Sequence, residues 1–303
     1  MTLSRSSPAP TSAGEEQRLS SPARDGAMVP AMSTTTAPRL HPLNQDFVWQ
    51  DAAREGLRAL TPEQVDAFNR DGFFVYRGGF TPAEIAEVAA AIDPLEQAHV
   101  DFVNQKPGGR FRLTVTESIS FTIHIAGKSP VLAAFAQHPA IRDICHDLIG
   151  PAVRLYWDQS VYKKTEKPQE FPWHQDNGYT FIEPQQYITC WIPLADVDET
   201  NGCPWIAPGL HRMGTLDHWI TPIGLKCLED VPDAVCVPAK AGDAIVFSSL
   251  SPHRTGPNLK VGTVRKAYIL QYAPDGAIAY PRGGEATPQS DPDRQFKILD
   301  RGR

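Results

Sequence analysis

Hydrophobic residues between positions 61 and 150 recur every three to four residues, which is typical of amphipathic helices. The segments TPEQVDAFNRDG and TPAEIAEVAAAIDPLEQAHVDF both open with Thr-Pro and carry Gln or Glu three positions after the threonine. That arrangement is the capping-box signature of a helix start. SPVLAAFAQHPAIRDICHDLIG predicts two further helices that are broken at Pro139 and end before Gly150. Between the first two helices, GFFVYRGGF predicts a short strand bounded by glycines.

The pattern changes at Pro151 to short hydrophobic runs separated by Pro, Gly, Asn and Asp. The runs VRLYWDQSVYKK, QYITCWIPLAD, DAVCVPAKAGDAIVFSSL and TVRKAYILQYA predict strands of a sandwich or barrel. Strands and helices do not alternate here, and no glycine-rich phosphate loop follows a strand. We therefore predict a mainly β protein with flanking α-helices: a helical front over 61–150, a β core over 151–275 and a C-terminal extension over 276–303.

Residues 1–44 are rich in Ser, Thr, Pro, Ala and Gly. A segment of this composition cannot bury enough apolar surface to offset the entropy that ordering costs. The sequence therefore predicts a disordered tail over 1–44, followed by a single domain over 45–303. Met28 and Met32 are alternative positions at which translation could begin.

The charge pattern and the hydropathy pattern exclude several classes of protein. A net charge of −6 without a run of Lys or Arg argues against a nucleic-acid partner. No apolar stretch reaches the roughly 18 residues of a membrane span. The five cysteines are odd in number and show no CxxC spacing, which favours reduced thiols over a disulfide framework or a zinc knot. With no secretory signal at the start and no peroxisomal tripeptide at the end, we expect a cytoplasmic protein of undetermined oligomeric state.

The candidate chemistry begins in FPWHQDNGYTF, where His174 and Asp176 lie two positions apart. A second histidine, His253, follows the strand in GDAIVFSSLSPHRTGPN. Two imidazoles and one carboxylate can occupy one face of an octahedral ion and leave three positions for O2 and a chelating cosubstrate. The same residue types also suit zinc with one open position. His-x-Asp alone is a weak signal, because a lone histidine is more often a packed or surface residue than a ligand.

Arg265 strengthens the prediction of a site. In TVRKAYILQY, strand alternation places Arg265 on the same face as Ala267 and Ile269, which is the expected interior side. A guanidinium in a β core needs an anion to compensate for its lost hydration. That anion is either a carboxylate of the protein or a bound dicarboxylate, which matches the fork of an arginine.

The order of these motifs resembles the phytanoyl-CoA dioxygenase (PhyH-like) family of Fe(II)- and 2-oxoglutarate-dependent oxygenases. The similarity runs over about 61–273 and is carried by WHQDNGY, NGCPWIAPGLHRMG, GDAIVFSSLSPHRTGPN and VRKAYILQY. It implies a double-stranded β-helix core (a cupin-like jelly roll) and an enzyme that uses Fe(II), 2-oxoglutarate and O2. Such an enzyme hydroxylates, desaturates or cyclises an unactivated C–H bond of a small organic substrate and releases CO2 and succinate. Halogenating relatives have Ala or Gly in place of Asp176, so the resemblance favours hydroxylation.

The resemblance also assigns roles to residues of this sequence. It implies that the metal ligands are His174, Asp176 and His253. It implies that 2-oxoglutarate is bound by Arg265, Thr255, Lys163 and Trp191. Gln159, which has the strand parity of Lys163, is expected to contact the substrate, as are Gln175 and Tyr179. Residues 106–128 and 214–239 match the family least, and we expect them to form a lid that selects the substrate.

Two other functions are compatible with the same residues. A zinc-dependent hydrolase would use the three metal ligands but would have no role for Arg265 or Lys163. A cupin-like binding protein would keep the fold without turnover, although an intact ligand set argues against it.

Overall fold

The computed structural model describes residues 37–301, which belong to one compact unit. The predicted helix starts are confirmed: Thr61 and Thr81 each accept a hydrogen bond from the third residue of a helix, whose side chain bonds back. Each capping box satisfies backbone N–H groups that have no partner inside the helix. The α-helices are α1 (Pro62–Asp71), α2 (Pro82–Asn104), α3 (Pro130–Phe135) and α4 (Pro139–Leu148).

One large antiparallel sheet, here called the large sheet, forms the centre of the fold. Its longest strands pair over almost their whole length, with Arg265 opposite Lys163 at one end. In spatial order the large sheet contains β1 (Phe73–Tyr76), β13 (Ala244–Ser248), β8 (Ile188–Pro193), β15 (Arg265–Pro274), β5 (Val153–Lys163), β4 (Ile119–Ile123), β3 (Thr114–Val115) and β2 (Arg110–Phe111), and β18 (Lys297–Leu299) adds to β5.

A second sheet, here called the small sheet, faces part of the large one. In spatial order it contains β12 (Val235–Cys236), β9 (Pro204–Ile206), β14 (His253–Thr255) and β6 (Phe171–His174). Two minor sheets join β17 (Thr287–Pro288), β16 (Ile278–Tyr280) and β7 (Phe181–Glu183), and β10 (Trp219–Thr221) with β11 (Gly224–Lys226).

The two faces of the large sheet have different neighbours. Along β15, Tyr268, Leu270 and Tyr272 join a buried cluster with residues of the helices. Ala267 and Ile269 alternate with them and pack towards the small sheet. The alternation predicted for this strand is therefore confirmed, and Arg265 lies on the face between the two sheets.

Residues 37–44, the last part of the predicted tail, make defined contacts with the rest of the chain. Leu40 bridges to Leu216, and the backbone N–H of His41 donates to the carbonyl of Thr215. The Asn44 side chain is buried and donates to the carbonyls of Met213 and Thr215. Residues 37–44 are thus held by the chain beyond residue 213, a long-range contact that local composition does not encode. The rest of the predicted tail, residues 1–36, lies outside the described residues.

Other sequence predictions also have structural outcomes. All five cysteines have free thiols, as expected, and four of them are buried. In the C-terminal extension, Ile298 and Leu299 join the core beneath the helices. Over the described range 37–301, no helix combines the length and the hydropathy needed to cross a bilayer.

Candidate metal centre and adjoining cavity

The small sheet brings the predicted metal ligands together. His174 ends β6 and His253 begins β14, and the two residues are directly paired across the strands. Asp176 follows β6 in a short 3-10 turn, which returns its carboxylate to the same place. Its Oδ1 lies 3.9 Å from Nε2 of each histidine. Since a metal–imidazole bond is about 2.1 Å long, one ion can contact all three side chains.

The protein fixes the orientation of each ligand. Nδ1 of His174 lies 2.8 Å from the carbonyl oxygen of Pro172, and Nδ1 of His253 lies 3.0 Å from that of Ser251. A carbonyl can only accept, so both Nδ1 atoms carry the proton and both Nε2 lone pairs face the metal position. The Thr189 hydroxyl donates to Oδ2 of Asp176 and leaves Oδ1 for the ion.

Burial and the neighbouring His253 hold the pKa of His174 well below its ordinary value. The imidazole is therefore neutral at neutral pH, which is the form that binds a metal.

Arg265 is a buried cation with unused hydrogen-bonding capacity. Its exposed fraction is 2%, and its guanidinium lies over the ring of Trp191 at 5.3 Å. Nη1 donates to the carbonyl of Val161, but Nε and Nη2 find no partner among the described residues. Burial lowers the pKa of Arg265 to about 9, which still leaves it charged at neutral pH. The Arg265 guanidinium therefore has no counter-anion within 37–301, and the free edge of the guanidinium fits the shape of a carboxylate.

Lys163 lies opposite Arg265 on the neighbouring strand, but its cationic group, unlike that of Arg265, is hydrogen bonded throughout by the protein. Its ammonium group donates to the carbonyls of Gln169, Thr255 and Gly256 at 2.6–3.1 Å. Burial, and next the nearby Arg265, lower the pKa of Lys163, whereas Glu170 acts to raise it. The three N–H bonds of the ammonium group therefore already have acceptors, and Lys163 anchors the chain that follows His253. That Lys163 also helps to hold the cosubstrate stays a prediction.

Lys163, which is paired with Arg265, thus connects the large sheet to the segment that follows His253. Thr255 lies two residues after His253, and its Oγ1 makes no hydrogen bond within residues 37–301. Trp191 belongs to the buried cluster between the sheets together with Phe247, whose ring lies 4.5 Å from that of His253. Trp191 thus lies near both Arg265 and the Phe247 ring beside His253, and binding of the cosubstrate by Thr255 and Trp191 stays a prediction.

A cavity of about 530 Å³ opens beside the ligand cluster. Such a volume is in the range of pockets that bind small organic molecules. His174 and Asp176 line it together with a mainly aromatic wall, and polar groups are few. The aromatic lining residues are Phe102, Phe111, Phe121, Tyr156, Trp157, Phe171 and Tyr179.

Two of the three predicted substrate residues line this cavity. Gln159 projects from β5, and Tyr179 packs edge-on against His174 with its hydroxyl accepting from the Leu225 N–H. Gln175 does not line it, and this prediction is corrected. Its side chain is fully buried and bonds the backbone of Gly214, Leu216 and Leu250. His174 and Asp176 face the cavity, and Gln175, which lies between them in the sequence, points to the opposite side.

Sequence reasoning missed two residues of the site. Thr189 was not singled out, although its hydroxyl holds Asp176. Gln271 lines the cavity from β15, where the parity of Arg265, Ala267 and Ile269 continues to it. The alternation argument, carried one step further, would have found Gln271.

The two segments expected to form a lid differ in position. Residues 106–128 contribute Phe111, Arg112, Leu113 and Phe121 to the cavity wall. Residues 214–239 contribute none of the described wall, and they reach it only indirectly, where Leu225 donates to the Tyr179 hydroxyl. The role of either segment in substrate selection stays a prediction.

Comparison with known proteins identifies the family. The family model for phytanoyl-CoA dioxygenase (PhyH) matches residues 68–267, which is about two thirds of the chain and includes His174, Asp176, His253 and Arg265. The chain belongs to the PhyH family. A phytanoyl-CoA dioxygenase of Arabidopsis thaliana is 33% identical over 250 residues, which cover 70% of this chain and 88% of the relative. An ectoine dioxygenase of Bordetella bronchiseptica is 23% identical over 253 residues, which cover 75% and 80%.

Solved structures show the same fold. EctD from S. alaskensis, with 2-oxoglutarate and 5-hydroxyectoine, superposes with a TM-score of 0.59 at 22% identity, over 80% of this chain and 84% of that one. The non-heme alpha ketoglutarate dependent epimerase SnoN from nogalamycin biosynthesis superposes with a TM-score of 0.58 at 20% identity, over 73% and 84%. The predicted fold class, a mainly β cupin-like core with flanking helices, is confirmed.

Membership of the PhyH family confirms the predicted class of enzyme. The protein is a non-haem iron, 2-oxoglutarate-dependent oxygenase, and iron, 2-oxoglutarate and O2 are the cofactors of that class. The residues present fit this set. Three preoriented ligands suit iron, and the free edge of Arg265 suits a carboxylate.

Proposed function

We propose that the protein hydroxylates an unactivated C–H bond of a small organic substrate, with CO2 and succinate as co-products. His174, Asp176 and His253 would hold Fe(II), and Arg265 with Thr255 would hold the distal carboxylate of 2-oxoglutarate. The observation that carries the proposal is the buried Arg265 guanidinium with Nε and Nη2 unpaired in the described structure. Bound iron supplies the activation of O2, and the substrate enters through the cavity beside it.

The protein itself positions the three ligands and excludes water from the cavity. Carbonyls of Pro172 and Ser251 hold the two imidazoles, and Thr189 holds the carboxylate. The aromatic wall of the cavity keeps the reacting carbon in a dry environment next to the ligands. Because the third ligand is Asp176, the carboxylate position that halogenating relatives leave open is filled, which favours hydroxylation.

The experiment is an anaerobic titration of the purified protein with Fe(II) and 2-oxoglutarate. We expect a visible charge-transfer band, and 2-oxoglutarate-dependent succinate formation after O2 is admitted. Arg265→Met is the matched control, because it retains the three ligands and should lose the band at the same 2-oxoglutarate concentration. A folded, iron-binding protein without the band would overturn the proposal.

Zn(II) in place of Fe(II) distinguishes the hydrolase alternative. Ester or amide hydrolysis supported by zinc, with no dependence on Arg265, would favour that function instead. A small-molecule substrate and a cytoplasmic setting remain part of the proposal.

A further inference from the structure

Two glutamines project from the large sheet into the cavity, and they differ in their bonding. Oε1 of Gln159 accepts a hydrogen bond from Nε1 of Trp157 at 3.2 Å. Gln271 lines the cavity with an exposed fraction of 7%, and its carboxamide makes no hydrogen bond to any residue in 37–301. A carboxamide that faces a cavity is normally paired with water or a ligand there. Gln271 therefore has donors and an acceptor available to a molecule in the cavity.

The register of the large sheet places Gln271 beside the metal ligands. Gln271 on β15 lies directly opposite Thr189 on β8, and the Thr189 hydroxyl donates to Asp176. Directly opposed residues of an antiparallel pair point to the same face, with Cβ atoms about 5 Å apart. The carboxamide is thus one strand away from the residue that positions the ligating carboxylate.

Tyr156 adds a second free polar group at the same end of the cavity. It lines the cavity, and its hydroxyl makes no hydrogen bond in the described part of the chain. Burial, and next the neighbouring Asp176, raise the pKa of Tyr156. The phenol is therefore neutral and able to donate a hydrogen bond.

The charges around the cavity limit what the reacting end of a substrate can be. Apart from Asp176, Arg112 is the lining residue that carries a charge within 37–301, and Arg112 is exposed. The remaining wall near the ligands is aromatic, with Phe171 and Tyr179 against His174. A charged group brought there would lose its hydration without a counter-charge from the protein.

We propose that the Gln271 carboxamide, together with the Tyr156 hydroxyl, hydrogen bonds an uncharged oxygen or nitrogen of the substrate next to the carbon that is oxidised. The substrate is accordingly a largely apolar compound, with a ring or branched chain against the aromatic wall and a ketone, hydroxyl, ester or amide group at its reacting end. This inference rests on the proposed oxygenase function and specifies the substrate class for the same site. Gln271 is then a specificity-determining residue.

The test compares two probes with the same carbon skeleton, 1-tetralone and tetralin, which differ by one carbonyl oxygen. Binding to the protein loaded with Fe(II) and 2-oxoglutarate is measured anaerobically by calorimetry. We expect wild-type protein to bind the ketone about fivefold more tightly than the hydrocarbon, as one hydrogen bond provides. Gln271→Leu should bring the ratio close to one, and Tyr156→Phe should lower it. Gln137→Leu, at an exposed glutamine that does not line the cavity, should keep the ratio.

The iron–2-oxoglutarate charge-transfer band separates this proposal from the proposed function. If the band is present in both wild-type protein and Gln271→Leu, the metal and cosubstrate sites are intact, and the binding ratio tests Gln271 alone. A wild-type protein that binds neither probe, or binds both equally, overturns the inference. So does a Gln271→Leu variant that keeps the preference for the ketone. If folded wild-type protein lacks the band, the proposed oxygenase function is overturned, and the inference that rests on it is overturned as well.

Discussion

The two sheets that face each other across the site satisfy their polar groups in opposite ways. On the small sheet and in the turn that follows β6, the second functional atom of each candidate metal ligand is already bonded by the protein. Pro172 and Ser251 accept from the two histidines, and Thr189 of the large sheet donates to Asp176. On the large sheet, Arg265 keeps two guanidinium nitrogens without a partner among the described residues. The candidate metal ligands are thus held in place by the protein, whereas the Arg265 guanidinium has no counter-anion among the described residues. A binding site of this kind is recognised by what remains unsatisfied.

The difference is sharpest between Arg265 and Lys163, which are directly paired on neighbouring strands and almost equally buried. Three backbone carbonyls accept from the Lys163 ammonium, so this cation stabilises the protein's own structure. The free edge of Arg265 cannot be explained by any contact it makes. We therefore propose separate roles for these two buried cations, Lys163 in the fold and Arg265 in ligand binding. Four substitutions test the site, and two of them compare these cations directly.

The largest effect is expected from Asp176→Asn, which keeps the shape of the ligand but removes its charge. Turnover should fall about a thousandfold, since the iron loses an anionic ligand worth several kcal/mol. The measurements are Fe(II) affinity and succinate formation. The thermal midpoint serves as the control and should stay close to that of the wild type. An Asn variant that retained iron affinity and turnover would remove Asp176 from the ligand set.

The next effect is expected from Arg265→Met. The dissociation constant of 2-oxoglutarate should rise about a hundredfold, which is the value of two charge-assisted hydrogen bonds to a carboxylate. The free energy of unfolding should be unchanged or higher by about 1 kcal/mol, because replacing an uncompensated buried charge with an apolar group is often stabilising. Calorimetry and denaturant titration of the ligand-free protein check the two parts. A marked loss of stability would indicate that Arg265 supports the fold as Lys163 does.

Lys163→Met should show the reverse pattern. Three buried carbonyls would lose their donor, so we expect the free energy of unfolding to drop by about 3 kcal/mol. The affinity for 2-oxoglutarate should change much less than in Arg265→Met, since the ammonium is occupied by Gln169, Thr255 and Gly256. If instead the affinity fell and the stability did not, the roles of the two cations would have to be exchanged.

The smallest effect is expected from Thr189→Val, which removes the hydroxyl that orients Asp176. Loss of such an outer partner typically weakens metal binding about tenfold to a hundredfold. Thr255→Val is the matched comparison, since its hydroxyl has no partner in 37–301 and should affect 2-oxoglutarate affinity while leaving iron affinity intact. Equal effects of both variants on iron would show that the Thr189 hydroxyl does not act specifically through Asp176.

Local patterns in the sequence were sufficient for the helix starts and for the parity of the long strand. A capping box involves residues three positions apart, so Thr61 and Thr81 identify their helices without reference to the rest of the chain. Strand alternation likewise places Arg265 with Ala267 on one face. His174, Asp176 and His253 were found because residue types with metal-binding chemistry are few and their order resembles a known family.

Contacts between distant segments could not be predicted in the same way. Asn44 is ordered by carbonyls of Met213 and Thr215, and Gln175 is occupied by carbonyls of Gly214 and Leu250. Neither partner is visible in the local sequence. For the same reason only the folded chain shows the carbonyls that the Lys163 ammonium meets.

The sequence by itself therefore determined which side chains can carry the chemistry, and which of them share a face of a strand, because both properties depend on residue type and short-range geometry. The tertiary structure decided which polar groups are already satisfied and which remain free. That property depends on the backbone of segments that are distant in sequence, 93 positions away for the Lys163 ammonium and Gly256. The free groups of Arg265 and Gln271, and not the residue types alone, indicate where the cosubstrate and the substrate would bind.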